Sequence, residues 1–123
     1  VTVISYGLML HLCLEAAREL ENEGISVEVV DLRTLRPLDS QTILESATKT
    51  GKVLIVHEDT KALGIGGEVS AIISEGAFEH LDAPIKRLAG PEVPAMPFSP
   101  TLESEFLIDT EQIKKSLRDL VEY

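Results

Sequence analysis

Lys52-Val53-Leu54-Ile55-Val56 runs directly into His57-Glu58-Asp59, and a few residues later Gly64-Ile65-Gly66-Gly67-Glu68 opens a new apolar-periodic segment. Four successive apolar residues, Val53 to Val56, fit a strand covered on both faces, because neither face then meets water. The glycines that follow fit a tight turn into a helix. Working outward, the chain reads as further copies of this strand-to-helix unit.

Upstream, Val1 to Ser5 predicts a first strand and Tyr6-Gly7 a turn into a helix over about 8–23. Leu10, Cys13, Leu14, Ala17 and Leu20 recur there at helical spacing. A second strand is predicted over about 26–30, then a loop carrying Arg33 and Arg36 and stiffened by Pro37. Asp39 is placed to cap a helix over about 40–48 with Ile43, Leu44 and Ala47 on its buried side. Downstream, the helix after the glycines is expected to reach about residue 79, packing Val69, Ile72, Ile73, Gly76 and Ala77, with Gly76 allowing close approach to the sheet. A fourth strand follows over about 85–89. Pro91, Pro94, Pro97 and Pro100 exclude regular structure between 90 and 100, where Val93, Met96 and Phe98 point to a packed strap. Residues 102–107 carry no decisive pattern. The last helix has the pattern of a capping box, Asp109 with Gln112, flanked by the staple pair Ile108 and Ile113. Ile113, Leu117, Leu120 and Val121 form its expected buried stripe, with Lys114 and Lys115 outside.

Three successive crossovers predict one three-layer α/β/α domain over residues 1–123 with a mainly parallel sheet. The strand order does not follow from the sequence. The C-terminal ends of the strands converge on one edge, which would carry Ser5, Tyr6, Asp31, Arg33, Arg36, His57, Glu58, Asp59 and Gly90.

The balance of 21 acidic against 11 basic residues, a formal net charge of -10, argues against nucleic-acid and membrane-surface partners and suits a basic protein. One cysteine, Cys13, cannot form an internal disulfide; on a helix's apolar stripe it reads as a small buried hydrophobe. The expected location is cytoplasmic, with no membrane span.

The strand-end polar groups do not by themselves make a reactive site. Neighbours in a strand point in opposite directions, so His57, Glu58 and Asp59 form no metal cage. Ser5 and Ser70 become nucleophile candidates only through assumed tertiary contacts. Gly64-Ile65-Gly66-Gly67 is neither a dinucleotide fingerprint nor a phosphate loop. Glu68 in the first turn suits the helix dipole and would repel a phosphate. His11 and His80 read as surface residues. Arg33 and Arg36 are open between an anion clamp and salt bridges, local or across a subunit boundary.

Asp31-Leu32-Arg33-Thr34-Leu35-Arg36-Pro37-Leu38-Asp39, His57-Glu58-Asp59 and Gly64-Ile65-Gly66-Gly67-Glu68, together with Ser5-Tyr6-Gly7, Asp82-Ala83-Pro84, Gly90-Pro91 and Pro97-Phe98, resemble the C-terminal domain of the beta subunit of thiamine-diphosphate-dependent 2-oxo acid dehydrogenases. The Pro94-Ala95-Met96-Pro97-Phe98 wording is closer to bacterial branched-chain members than to pyruvate or acetoin ones. The resemblance implies a transketolase C-terminal-like fold, truncated at its N-terminus and lacking the preceding cofactor-binding domain, with an antiparallel edge strand before Val1. It implies thiamine diphosphate and magnesium in the full assembly and neither in this fragment. Implied partners are an alpha subunit and a second beta subunit, in a heterotetramer of two of each, and the peripheral subunit-binding domain of the acyltransferase.

By the same resemblance Arg33, Arg36, His57, Glu58, Asp59, Gly66, Gly67 and Glu68 are interface or strand-end structural positions, and none is catalytic, cofactor-binding or metal-binding. Leu63 stands where the family often has glycine. Glu75, Glu79, Asp82 and the terminal carboxylate of Tyr123 would dock the basic acyltransferase domain. The expected function is assembly support for oxidative decarboxylation of a 2-oxo acid and acyl transfer to lipoyl, with the isolated domain inactive. Two alternatives stand beside it: a small-anion-binding regulatory domain using the 64–67 helix start and Arg33, or the C-terminal domain of a transketolase-like enzyme.

Overall fold

Val53 and Ile55 face one apolar core while Leu54 and Val56 face another. Strand β3 is therefore covered on both sides, as its unbroken apolar run requires. The computed structural model describes all residues, Val1–Tyr123. Its elements in chain order are β1 (Thr2–Ser5), α1 (Leu8–Glu21), β2 (Glu28–Asp31), α2 (Ser40–Thr50), β3 (Val53–Thr60) and α3 (Ile65–Gly76). A 3-10 turn (Phe78–His80) then leads to β4 (Lys86–Gly90), α4 (Pro100–Phe106) and α5 (Thr110–Glu122).

The four strands lie in the order β2-β1-β3-β4, and every pairing is parallel. Helices α1 and α5 cover one face, where Met9, Cys13, Ala16 and Leu20 meet Val3, Leu54, Ile113 and Leu117. Helices α2 and α3 cover the other, where Ile43, Ala47, Val69 and Ile73 meet Ile4, Val30 and Ile55. The domain is a three-layer α/β/α sandwich. The helices after β1 and β3 leave on opposite faces, so the point where the winding reverses lies between these two neighbouring strands.

The predicted caps are present. Asp39 accepts the Thr42 amide at 3.1 Å. Asp109 accepts the Gln112 amide at 2.7 Å, and Gln112 Oε1 accepts the Asp109 amide at 3.1 Å.

Several expectations are corrected. The third strand continues through His57, Glu58 and Asp59 to Thr60, because β4 pairs alongside it out to Thr60 opposite Gly90. The third helix ends at Gly76 and not near residue 79; a separate 3-10 turn holds Phe78, Glu79 and His80. At Gly76 the close neighbour is α2 and not the sheet, since a Cβ there would lie 2.7 Å from Leu44 Cδ2. The buried stripe of α1 is Met9, Cys13, Ala16 and Leu20, whereas Leu14 is exposed beside Ile25, Val27 and Val29. That rotation lets α1 pack on the sheet and on α5 together. Lys114 is buried and paired with Glu19 and Glu111, because α5 turns that side toward α1. Val121, in the final turn, is exposed. The short helix α4 begins on Pro100, within the stretch expected to lack regular structure, because proline suits the first helical position. Val93, Met96 and Phe98 do not pack as a strap but are exposed.

Candidate functional site at the C-terminal edge of the sheet

Parallel pairing brings the ends of the strands together as expected. Ser5 is opposite Asp31 on one side and Val56 on the other, and His57 is opposite Ala89. Tyr6 follows β1 at the reversal point. Burial, with Asp59 and Glu58 nearby, pushes its phenol above the ordinary value. Glu58 and Asp59 are exposed beside it.

His57 is the one member of the polar run that turns fully inward, at 1% exposure. Neither ring nitrogen has a hydrogen-bond partner. The ring fills the space beneath the start of α3. A Cβ on Gly66 would lie 2.4 Å from His57 Nε2, and one on Gly64 would lie 2.8 Å from Cε1. Burial lowers the imidazole pKa and Arg87 adds to that, while Asp59 opposes it. The two glycines thus serve close packing of a neutral histidine between strand and helix.

The serines are committed elsewhere. Ser5 Oγ donates to Val56 O at 2.9 Å and Ser70 Oγ donates to Gly66 O at 2.7 Å. Neither is paired with a base, so no nucleophilic triad is assembled. The Cys13 thiol, buried in the α1 core, is pushed up to about 12 by that burial. A nucleophile needs the thiolate, which this environment suppresses.

Arg33 Nε pairs with Asp31 at 2.7 Å, at the end of β2 just before its own loop. This arginine follows the edge strand β2, separated from β3 by β1, and lines a hollow with Asp31, Thr34, Asp39 and Thr42. Arg36 instead shares a groove of about 770 Å³ with Leu35, Leu38, Leu44, Ile65, Glu68 and Glu75. The cation nearest the glycines is Arg87: its Nη1 would lie 3.7 Å from a Cβ at Gly67 and donates to Lys61 O at 3.1 Å. Sequence reasoning assigned Arg87 no role, since its partner comes from the loop after a neighbouring strand and no local pattern marks it.

The expected acidic cluster is split. Glu79, Asp82 and Tyr123 line one groove of about 920 Å³ with Phe78, Pro84, Ile85 and Arg87. Glu75 lies instead in the groove of Arg36. The helix ends at Gly76, so the four-residue spacing of Glu75 and Glu79 no longer aligns them.

The family model described as transketolase, C-terminal domain, matches residues 1–113. The chain belongs to that family. This transketolase C-terminal domain is 55% identical over all 123 residues to the 2-oxoisovalerate dehydrogenase subunit beta of Bacillus subtilis, of which it covers 38%. It is 43% identical over the same span to that organism's pyruvate dehydrogenase subunit beta, covering 37%. To the acetoin:2,6-dichlorophenolindophenol oxidoreductase subunit beta of Cupriavidus necator it is 44% identical over 96% of its length, covering 35%. The chain therefore spans under two fifths of these relatives. Among solved structures it matches a split-gene transketolase described as an inactive beta4 tetramer, with TM-score 0.84, 27% identity, and coverage of 98% of this chain and 39% of that one.

Proposed function

We propose that this chain is the C-terminal assembly domain of the beta subunit of a 2-oxo acid dehydrogenase. The parent enzyme would decarboxylate a branched-chain 2-oxo acid and pass the acyl group to lipoyl on an acyltransferase. The observation that carries the reading is the 55% identity over the whole chain to a 2-oxoisovalerate dehydrogenase beta subunit, against 43% to the pyruvate dehydrogenase counterpart of the same organism.

Thiamine diphosphate and magnesium belong to the proposed assembly, where the cofactor supplies the carbanion chemistry. The residues described here do not fit that pair. No group of three His, Cys, Asp or Glu side chains comes together. The start of α3, where backbone amides could meet a diphosphate, is packed by His57 and carries Glu68 in its first turn. No reaction step is assigned to them. The domain instead contributes Arg33, Arg36, Glu58 and Asp59 to subunit contacts at the strand ends, with His57, Gly66, Gly67 and Glu68 shaping that edge. In this reading the cofactor is held by a preceding domain and an alpha subunit, in a cytoplasmic heterotetramer of two alpha and two beta subunits.

The groove of Glu79, Asp82 and Tyr123 is the proposed place for the basic peripheral domain of the acyltransferase. Complementary charge there would set encounter and orientation more than affinity.

The full beta subunit, co-expressed with its alpha subunit, is expected to oxidise branched-chain 2-oxo acids with higher kcat/KM than pyruvate. The isolated domain is expected to show no decarboxylation with added thiamine diphosphate and magnesium. Preference for pyruvate would refute the substrate assignment, and activity in the isolated domain would refute the assembly role.

A further inference from the structure

The corner between β3 and α3 holds a side chain from which the isolated domain gains nothing. Leu63 has a φ of 60°, in the left-handed region that favours glycine, and it is fully exposed. Beneath it the loop is fastened: Thr60 Oγ1 donates to Ala62 O at 2.9 Å, Arg87 Nη1 donates to Lys61 O at 3.1 Å, and Gly64 packs on the His57 ring. A strained backbone is thus held so that a leucine stands in water. Strain of this kind persists only where surrounding structure over-determines it, and it concentrates at functional contacts.

A second exposed apolar segment leaves from the same place. Thr60 pairs with Gly90, so residues 91–106 depart beside the Leu63 loop. This segment exposes Phe98 completely, Leu102 by 56% and Val93 and Met96 by 41% each, and α4 within it buries no residue. Its only charged residues are Glu92, Glu103 and Glu105. Glu58 and Asp59 stand exposed on the adjoining strand end.

We propose that Leu63 and the 91–106 segment form one docking face for a non-identical protein subunit that presents an apolar socket rimmed by lysine and arginine. The proposal rests on the beta-subunit reading above and adds an apolar face beside the strand-end carboxylates Glu58 and Asp59 considered there. Apolar anchors supply affinity at such faces, and the surrounding carboxylates select the partner. Charge also chooses between occupants: the carboxylates of Glu58, Asp59, Glu92, Glu103 and Glu105 outnumber the exposed Lys61 at this face, so a second copy would set like charges against one another.

The test co-expresses the full beta subunit with a tagged alpha subunit and measures the beta retained on the tag. Phe98→Asp is expected to lower retention at least tenfold while the melting temperature of the beta subunit alone stays unchanged. Leu63→Gly is expected to raise that melting temperature by about 1–3 °C, by relieving strain, and yet to lower retention several-fold. These opposite changes would not come from a leucine with only a structural role, and they keep the test decisive should Phe98→Asp fail to fold. Val121→Ser, an exposed apolar position at the end of α5, is expected to behave as wild type. Wild-type retention of both Leu63→Gly and Phe98→Asp would overturn the proposal. So would loss of beta self-association with alpha retention intact, which would give the face to a second copy. A wild-type beta subunit that never binds alpha would remove the beta-subunit reading itself, and this proposal with it.

Discussion

Arg118 and Glu23 stand 95 residues apart in sequence and meet in a double hydrogen bond, Nε to Oε2 at 2.8 Å and Nη2 to Oε1 at 2.6 Å. The same offset recurs at Thr110 with Glu15 and at Lys114 with Glu19. Each step advances about one turn, Glu23 lying just past the end of α1, so α1 and α5 run parallel and in register. Under this ladder lie Ile113, Leu117 and Leu120, in one core with Cys13 and Leu20.

The ladder and the core should respond differently to salt. Arg118→Ala is expected to lower stability modestly, with the loss shrinking as salt rises, because the pair is partly exposed. Leu117→Ala is expected to cost about 2–5 kcal/mol at any salt concentration. Urea unfolding at low and high salt checks both; a salt-insensitive Arg118→Ala loss would assign the arginine's contribution to packing.

Gly66→Ala is expected to destabilise the domain by about 1–3 kcal/mol, since the new methyl would fall on the His57 ring. Combining it with His57→Ala should give a loss smaller than the sum of the two single losses, by about 0.5–3 kcal/mol. Strict additivity in the double-mutant cycle would place the two residues in separate environments.

His57 predicts a pH dependence of known sign. Its folded pKa is lowered by burial from the ordinary 6.5. Above that value both folded and unfolded chains hold it neutral. As pH falls below it, the unfolded chain takes up a proton that the folded chain refuses, so stability declines until the folded pKa is reached. His57→Gln should flatten the stability profile immediately below pH 6.5. An unchanged slope across that window would mean that another group titrates there.

Cys13 should be silent in the native state. Its thiol is raised to about 12 and fully buried, so Ellman's reagent at pH about 8 is expected to label it only after denaturation. Rapid labelling in buffer would show that α1 opens locally.

Much of this fold was legible because its signals are local. The run from Val53 to Val56, the cap at Asp39 and the Asp109–Gln112 box each depend on residues within a turn or a strand of one another. Where a side chain answers to two neighbours at once, local periodicity misplaced it, as with Leu14, Lys114 and Gly76. At the candidate site, the strand-end location of His57, Glu58 and Asp59 was readable, but the inward turn of His57 and the grip of Arg87 on Lys61 O were not.

The sequence alone determined a layered α/β domain with parallel crossovers, its helix caps, an acidic surface and the polar identity of the strand ends, because covalent spacing and side-chain chemistry carry these. Tertiary structure alone decided the order β2-β1-β3-β4, the pairing of α1 with α5, the splitting of Glu75 from Glu79, and the neutral histidine beneath Gly64 and Gly66. The physical reason is distance along the chain. These relationships join residues from separate elements, and they exist only once the two cores have closed on the sheet and fixed which side of each helix faces inward.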